Sequence, residues 1–347
     1  MHMADALLSP AVGGTFWAGT AATIGYASKR LKQGIDDRKI PLMGVLGAFI
    51  FASQMINFTI PGTGSSGHLG GGMILAILLG PHAAFLVMAS VLTVQGLFFA
   101  DGGLLALGCN VWNLGIYPCY VAYPLVYRPL AGDGSSPRRI FAASLVGAVG
   151  ALQLGALSVA LQTHLSGKSE LPFGSFLLLM QPIHLAIGIV EGLVTAGVVS
   201  FVRALRPEIL DASAARGSIP ASASLRTVLV GFIALAAVTG GALSWFASAH
   251  PDGLEWSIER ITGKAELQER EHGVSAALKE LQEKTAILPD YGFRTPEAEA
   301  GKPEETPSWP SVDAGSTVSG LVGGILVLAM AMLVGWAVRA LRRRRAG

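Results

Sequence analysis

Charge is scarce in this chain. Asp, Glu, Lys and Arg make up 14% of its 347 residues, against roughly 25% in a soluble globular domain. Apolar residues make up 51% and lie in long blocks, which excludes an ordinary water-soluble fold and points to a polytopic membrane protein. The 25 basic and 23 acidic residues nearly balance, and no basic patch interleaves with aromatics, so no nucleic acid is expected as a partner. Only two cysteines occur, Cys109 and Cys119, both inside one apolar stretch. They suit neither a disulfide framework nor a short-spaced metal pair and read as small packing residues. The Gly-rich stretch "GTGSSGHLGGG" lacks the Lys-Ser/Thr pair of a P-loop, so any ATP-driven step must use another chain. A basic n-region is also missing before the first apolar run, and Asp5 comes early. The start is a poor signal peptide, and Met1 and His2 are expected to survive in the mature chain.

What is present is a series of apolar segments, at about 10–29, 40–57, 69–80, 82–99, 103–127, 138–164, 174–203, 225–248 and 318–338. The expectation is an all-α polytopic helix bundle with about nine membrane segments. Segment 69–80 falls short of the roughly 20 residues of a full span and reads as a short or re-entrant helix, tolerable only if buried in protein. Lys29, Arg30, Lys32, Arg38 and Lys39 crowd the first loop. Arg128, Arg138 and Arg139 crowd a later one, Arg203, Arg206, Arg216 and Arg226 flank another, and Arg339 and Arg342–Arg345 end the chain. Nine alternating segments put all of these on one side, the cytoplasmic one. The amino terminus and the 58–68, 100–103 and 164–173 loops then lie outside, and the carboxyl terminus lies in the cytoplasm.

Two stretches divide this pattern. Residues 206–224 are rich in Pro, Ala and Ser and read as a cytoplasmic linker. Residues 249–317 are polar and read as an external loop. Within it, 264–284 suggest an amphipathic helix with Leu267, Val274, Leu278 and Leu281 on one face, followed by a Pro/Glu-rich stretch with the composition of disorder. The expected units are a membrane domain at 1–205, the linker, and a unit of two transmembrane helices at 225–347.

The chemistry concentrates in a few places. A free amine at Met1, the amide nitrogen of His2 and its Nδ1 can close two fused chelate rings. Three nitrogens in one plane favour a square-planar ion such as Ni(II) or Cu(II), with metal uptake pH-dependent because the amide must lose its proton. The plainer reading of His2 is a stray histidine near a mobile terminus. His68 lies in the Gly/Ser loop on the same expected side and could supply a fourth nitrogen, or the loop is simply a turn before a helix. Asp101, Asn110 and Asn113 are polar groups at or within an apolar segment, either partners that orient His2 or His68 or helix–helix contacts.

Gly64-Ser65-Ser66-Gly67 also fits the pattern of an intramembrane serine hydrolase, with Ser66 as nucleophile and His184 as base. His184 and Glu191, seven residues apart, share a helix face and suit structural pairing or subunit coupling. His82 has no assigned role, and His164, His250 and His272 read as exposed. Asp252, Glu255 and Asp290 lie in turn-like stretches and read as solvated surface.

The stretches "MH…LLSP", "PGTGSSGHLGGG", "DGGLLALGCNVWNLG" and "HLAIGIVEGLVTA" resemble the substrate-binding M component of nickel/cobalt energy-coupling-factor transporters, the NikM/CbiM family. "PDGLEWSIERITG" and "LPDYGF", with one span on either side, look like the small N component of the nickel branch. The resemblance covers most of 1–200 and about 225–338. It implies a square-planar site made by the terminal amine, the amide and imidazole of His2, and His68; Ser66, Asp101 and Asn110 are read here as supporting groups beside it. The Gly/Ser loop is one residue longer here than the family's usual Pro-Gly-Gly-Thr-Ser-Gly-His. The resemblance further implies Ni(II) as transported substrate, with Co(II) as the alternative. It also implies a transmembrane coupling subunit, separate ATPase subunits, and a multi-pass location in a prokaryotic plasma membrane.

Overall fold

The computed structural model describes residues 2–343 apart from Asp36, Glu170, Arg216, 221–222, Glu266, 268–272 and 295–308. Each expected apolar segment contains helix. Ser9 caps α1 (Pro10–Gly34) by accepting the Val12 N–H at 3.4 Å, with Pro10 in the first turn, where its missing N–H costs nothing. α2 (Lys39–Gln54) is buried along its length. Two three-residue strands follow, β1 (Phe58–Ile60) and β2 (Ser65–Gly67), paired antiparallel with Thr59 opposite Ser66. The Gly/Ser stretch is therefore a small hairpin and the one departure from an all-helical fold among the described residues.

α3 (Gly72–Leu79) has eight residues, about 12 Å of helix, and cannot cross a hydrocarbon core about 30 Å thick. Every residue in it is buried, as a short helix at membrane depth requires. Gly80 separates it from α4 (Pro81–Phe98). α5 (Leu107–Val111) runs into a wide helix with i→i+5 geometry over Trp112–Tyr127, which contains Pro118 and Pro124, and then into α6 (Arg128–Ala131). α7 (Pro137–Ser166) and α8 (Phe173–Leu205) form a long packed pair. Among the described residues, four helices are long and apolar enough to cross a membrane: α4, α7, α8 and the last one, α13 (Ala314–Arg343).

The stretch expected as a linker is more than a tether. It holds α9 (Pro207–Ala215), whose Ile209 is buried against α3, and Ile219 and Ala223 are buried beyond it. Arg38 donates to the Ala223 carbonyl at 2.8 Å. The apolar residues scattered among Pro, Ala and Ser find the body of the bundle. α10 (Arg226–Gly241) and α13 pack together and onto α2. Their crossing brings the backbones of Gly240 and Gly320 into contact, where a side chain on Gly320 would overlap the Gly240 carbonyl. Small residues permit this approach, the main source of helix association in lipid.

Between α10 and α13 lie α11 (Gly253–Thr262) and α12 (Val274–Thr285). The expected amphipathic helix starts later than its pattern implies, at Val274 after Gly273 with φ +68°. Its stripe is only half used: Leu267 and Leu278 pack on the core, whereas Val274 and Leu281 are 57% and 47% exposed. Most of the Pro/Glu-rich stretch, and His272, lie outside the described residues.

Candidate metal centre

The residues that follow Met1 are strapped to the body of the protein. The Met3 N–H donates to Asn110 Oδ1 at 2.8 Å, and Asn110 Nδ2 donates back to the Met3 carbonyl at 3.3 Å. That carbonyl also accepts the Gly103 N–H at 3.0 Å. Asp5 takes the amides of Ala106 at 2.8 Å and Leu105 at 3.1 Å. Gly103 is required here, because a Cβ at that position would lie 1.8 Å from Asp5 Oδ1. Met3, Leu7 and Leu8 are buried. This strapping sets His2 beside the 100–103 turn, its Nδ1 3.4 Å from Asp101 Oδ1, with 8% of the side chain exposed. Met1, expected to supply the terminal amine, lies outside the described residues.

His68 is held by different means. It follows β2, and the Gly70 and Gly71 amides donate to the Glu191 carboxyl group of α8 at 2.7 and 3.2 Å. Gln54 Nε2 donates to the Gly70 carbonyl at 2.8 Å. Ser66 donates through its backbone N–H to the Pro251 carbonyl at 2.8 Å and through its hydroxyl to the His250 carbonyl at 2.8 Å. Ser66 therefore anchors the hairpin to the segment before α11 and does not touch either histidine ring through these bonds.

The two anchored stretches meet. The rings of His2 and His68 stack with centroids 5.0 Å apart and planes 15° off parallel, so the longer loop still reaches the amino-terminal arm. His68 Nδ1 lies 3.0 Å from the Leu69 carbonyl. A carbonyl only accepts, so Nδ1 carries the proton and Nε2 keeps a lone pair. Burial holds both imidazoles far below the usual histidine value, at about 3, and repulsion between them adds to the effect at His68. Both rings are therefore neutral at pH 7, the state a metal ligand needs. Burial also raises the Asp101 carboxyl, so its contact with His2 joins two groups that burial pushes toward neutrality. Among the described residues no group of three His, Cys, Asp or Glu side chains is set to hold an ion; side chains alone provide a histidine pair.

A cavity of about 620 Å³ opens beside this pair, lined by His2, His68, Asp101, Asp252, Glu255 and Tyr291 among others. Asp252 was expected on a solvated surface. It instead faces His68, because it starts α11 and is turned inward by a reciprocal cap. Its Oδ1 accepts the Leu254 and Glu255 amides at 2.7 and 2.9 Å, and Glu255 accepts the Asp252 amide at 2.9 Å. Burial would raise its carboxyl, but the charge of the amino terminus and the Glu255 amide work against burial, and the carboxyl is held below the usual carboxylate range. The D-x-x-E spacing of "PDGLE" is the capping-box signal that marks this helix start. Tyr291 donates to Asp101 Oδ2, a contact 190 residues apart with no local signature.

His184 and Glu191 do share the inner face of α8, and both are buried. Glu191 grips the His68 loop, while His184 Nδ1 lies 2.8 Å from the Met180 carbonyl and its ring borders a water-sized cleft with His68 and Asp252. The Ser66 proton is directed at backbone carbonyls, so it does not form the nucleophile–base hydrogen bond a hydrolase needs. Asn113 pairs with Gln162 at 2.9 and 3.0 Å, a contact between helices with one weak bond to Met3 Sδ. His82 contacts the Tyr120 hydroxyl at 3.1 Å, His164 and His250 are exposed, and Cys109 and Cys119 are free and buried.

Known proteins resemble this chain over most of its length. Residues 2–209 match the family CbiM, described as a cobalt uptake substrate-specific transmembrane region, and residues 226–340 match the PDGLE domain. A putative fused nickel transport protein NikMN of Archaeoglobus fulgidus is 34% identical over 335 residues, covering 95% of this chain and 96% of that protein. The cobalt transport protein CbiM of Sorangium cellulosum is 30% identical over 214 residues, 61% of this chain and 95% of the relative. A crystal structure of a transition metal transporter matches with a TM-score of 0.53 at 28% identity, covering 62% of this chain and all of the solved one. The chain is a membrane protein of the CbiM family, carrying a PDGLE domain after its metal-transport region.

Proposed function

We propose, from that family membership, that this chain is the substrate-capture component of an ATP-driven energy-coupling-factor importer for a divalent transition metal, nickel in preference to cobalt. The ion sits in a plane of four nitrogens: the Met1 amine, the His2 amide, His2 Nδ1 and His68 Nε2. The observation that carries this reading is the neutral, stacked His2–His68 pair, with the His68 proton directed away from its Nε2. Two side chains are too few for a site, so main-chain nitrogens complete it, and a nitrogen-only plane suits low-spin d8 nickel. Nickel preference is also supported by the relative of Archaeoglobus fulgidus, a putative nickel transport protein that spans both units. The site faces the outside of a prokaryotic plasma membrane. A transmembrane coupling subunit and ATPase subunits supply the work, since no P-loop occurs in the sequence. The cavity beside Asp101 and Asp252 is the route by which the ion arrives.

The decisive test is a two-residue extension before Met1, with nickel binding followed by calorimetry. Two residues are needed because one would put the histidine third, where amine, two amides and imidazole close a plane by themselves. The extension is expected to abolish most binding, and unchanged affinity would overturn the terminal chelate.

A further inference from the structure

We infer that a phosphate-binding site lies at the end of the bundle opposite the histidine pair, in a cavity walled by α1, α2, α4 and α9. It stands independently of the proposed metal site. α4 sets the distance between the two: it ends at Phe98, close to Asp101, and begins at Pro81. Its 18 residues put those ends about 27 Å apart. At the Pro81 end a cavity of about 190 Å³ opens, bordered by Arg30, Lys39, Gly80, Ala83 and Ser213 among others. Two permanent cations line it, and among the described residues no carboxylate does.

The backbone supplies part of the positive potential. α2 starts at Lys39 and α4 at Pro81, so the positive ends of two helices border one cavity, and neither is closed by a side-chain cap. The Ala84 N–H donates to the Gly80 carbonyl at 3.0 Å. The Ala83 amide, one residue earlier, has no acceptor within the helix. Gly80 makes this possible: at φ +78° and ψ 160° it breaks the chain between α3 and α4. A continuous helix would have provided acceptors from α3 instead.

Side chains supply the rest. Ser213 of α9 is 2% exposed, and its Oγ has no hydrogen-bond partner among the described residues. It faces Gly80, 3.7 Å from the position a Cβ there would take, on the wall of the cavity. A buried hydroxyl left unpaired is costly unless a bound group accepts its proton. Lys39 is buried and brings its charge to the same wall. Arg30 stands exposed at the mouth. Its Nε donates to the Tyr26 hydroxyl at 3.3 Å, and its guanidinium lies 5.5 Å from the centre of that ring. This contact holds the guanidinium in place through Nε alone.

Helix starts, guanidinium, ammonium and hydroxyl all present donors or positive charge, which excludes a cation. Donors arriving from four elements suit an anion with several acceptor oxygens, and phosphate meets that description. α4 is long and apolar enough to cross a membrane, which sets its start at the depth of lipid headgroups. The phosphate therefore belongs either to a lipid headgroup or to a free ion from solution.

The test follows thermal unfolding of the full chain, purified in detergent and free of metal. Inorganic phosphate, a soluble short-chain phosphatidylglycerol, and sodium chloride at matched ionic strength are titrated separately. At least one phosphate probe is expected to raise the unfolding temperature in a saturable way, and chloride is not. A rise with inorganic phosphate assigns the site to the free ion, and a rise with phosphatidylglycerol alone assigns it to a headgroup. Ser213→Ala removes one donor and is expected to raise the half-saturating concentration about tenfold, whereas Ser213→Thr keeps the hydroxyl and the affinity. Arg30→Gln is expected to weaken binding to a similar degree, and its exposed position leaves the fold intact. Lys39→Gln is expected to show the largest loss; where that buried change unfolds the chain, Arg30→Gln and Ser213→Ala decide. No saturable rise with either phosphate probe overturns the site, and so does a rise that both Arg30→Gln and Ser213→Ala leave unchanged.

Discussion

The two histidines reach the same point from regions built in opposite ways. His2 is carried by a chain end, and main-chain pairing strapped to the 100–110 segment holds it: Met3 on Asn110 and Gly103, Asp5 on Leu105 and Ala106. His68 is carried by a hairpin held from three separate elements: Glu191 of α8, Gln54 of α2 and the carbonyls before α11. A terminus cannot be steadied by chain on both sides, so its backbone hydrogen bonds must be matched by a fixed partner. A loop already tethered at both ends needs only to be stopped from shifting, and a few side chains from distant helices do that. The second unit touches both regions, through Tyr291 on the His2 side and Pro251 on the His68 side.

The comparison breaks most sharply at the two proposed ligands. In the proposed site His2→Ala removes a ring nitrogen from the fused chelate, and it is expected to reduce nickel affinity by well over 100-fold, more than the range seen for supporting residues. His68→Ala removes a single donor that water can replace and is expected to cost less. Calorimetry on both variants checks the order, and a larger loss at His68 would reverse the roles given to the two regions.

The supports come next. Glu191→Ala strips two buried amides of their acceptor, at about 1–3 kcal/mol each. It is expected to lower both thermal stability and nickel affinity, the latter about 10–100-fold. Asn110→Ala breaks the pairing of Met3 and is expected to lower affinity with a smaller loss of stability, since Gly103 still holds the Met3 carbonyl. Thermal unfolding run beside metal titration separates them.

Tyr291→Phe removes only the hydrogen bond to Asp101 and leaves the ring stacked on Phe99. A few-fold loss of nickel affinity with little change in stability is expected. An effect as large as that of Glu191→Ala would make the second unit a principal support of the His2 side.

A separate readout, which needs no metal, is acid stability. Folded His2 and His68 titrate near 3, against about 6.5 in the unfolded chain. Below 6.5 the unfolded state takes up protons that the folded state refuses. The stability these rings confer is therefore complete above pH 6.5 and falls as pH drops toward 3. Thermal unfolding of the metal-free protein between pH 8 and 5 should show this slope, and the His2→Ala/His68→Ala double variant should flatten it.

Much of the molecule was legible from local pattern. Apolar runs mark the helices because a bilayer selects them by composition and length, and His2 and His68 stand out because amine, amide and imidazole at position two can close fused rings and a histidine in a Gly/Ser loop can approach them. The supports were harder. Asp252 reads as an ordinary turn residue unless its D-x-x-E spacing is taken as a helix start, and even then nothing local says that the helix turns toward His68. The stripe from Leu267 to Leu281 predicts a buried face, yet Val274 and Leu281 remain exposed because periodicity shows that a face exists and not that something covers it.

By itself the sequence determined the helical character, a short segment within 69–80 and the candidate pair of histidines, since each depends on residues adjacent in the chain. Only the tertiary structure decided that the pair meets, with rings 5.0 Å apart. It also brought Tyr291 to Asp101 and Glu191 to the Gly70 and Gly71 amides. These contacts join residues from 66 to 190 positions apart. Their energy comes from satisfying buried polar groups, and no local spacing records which group will be the partner.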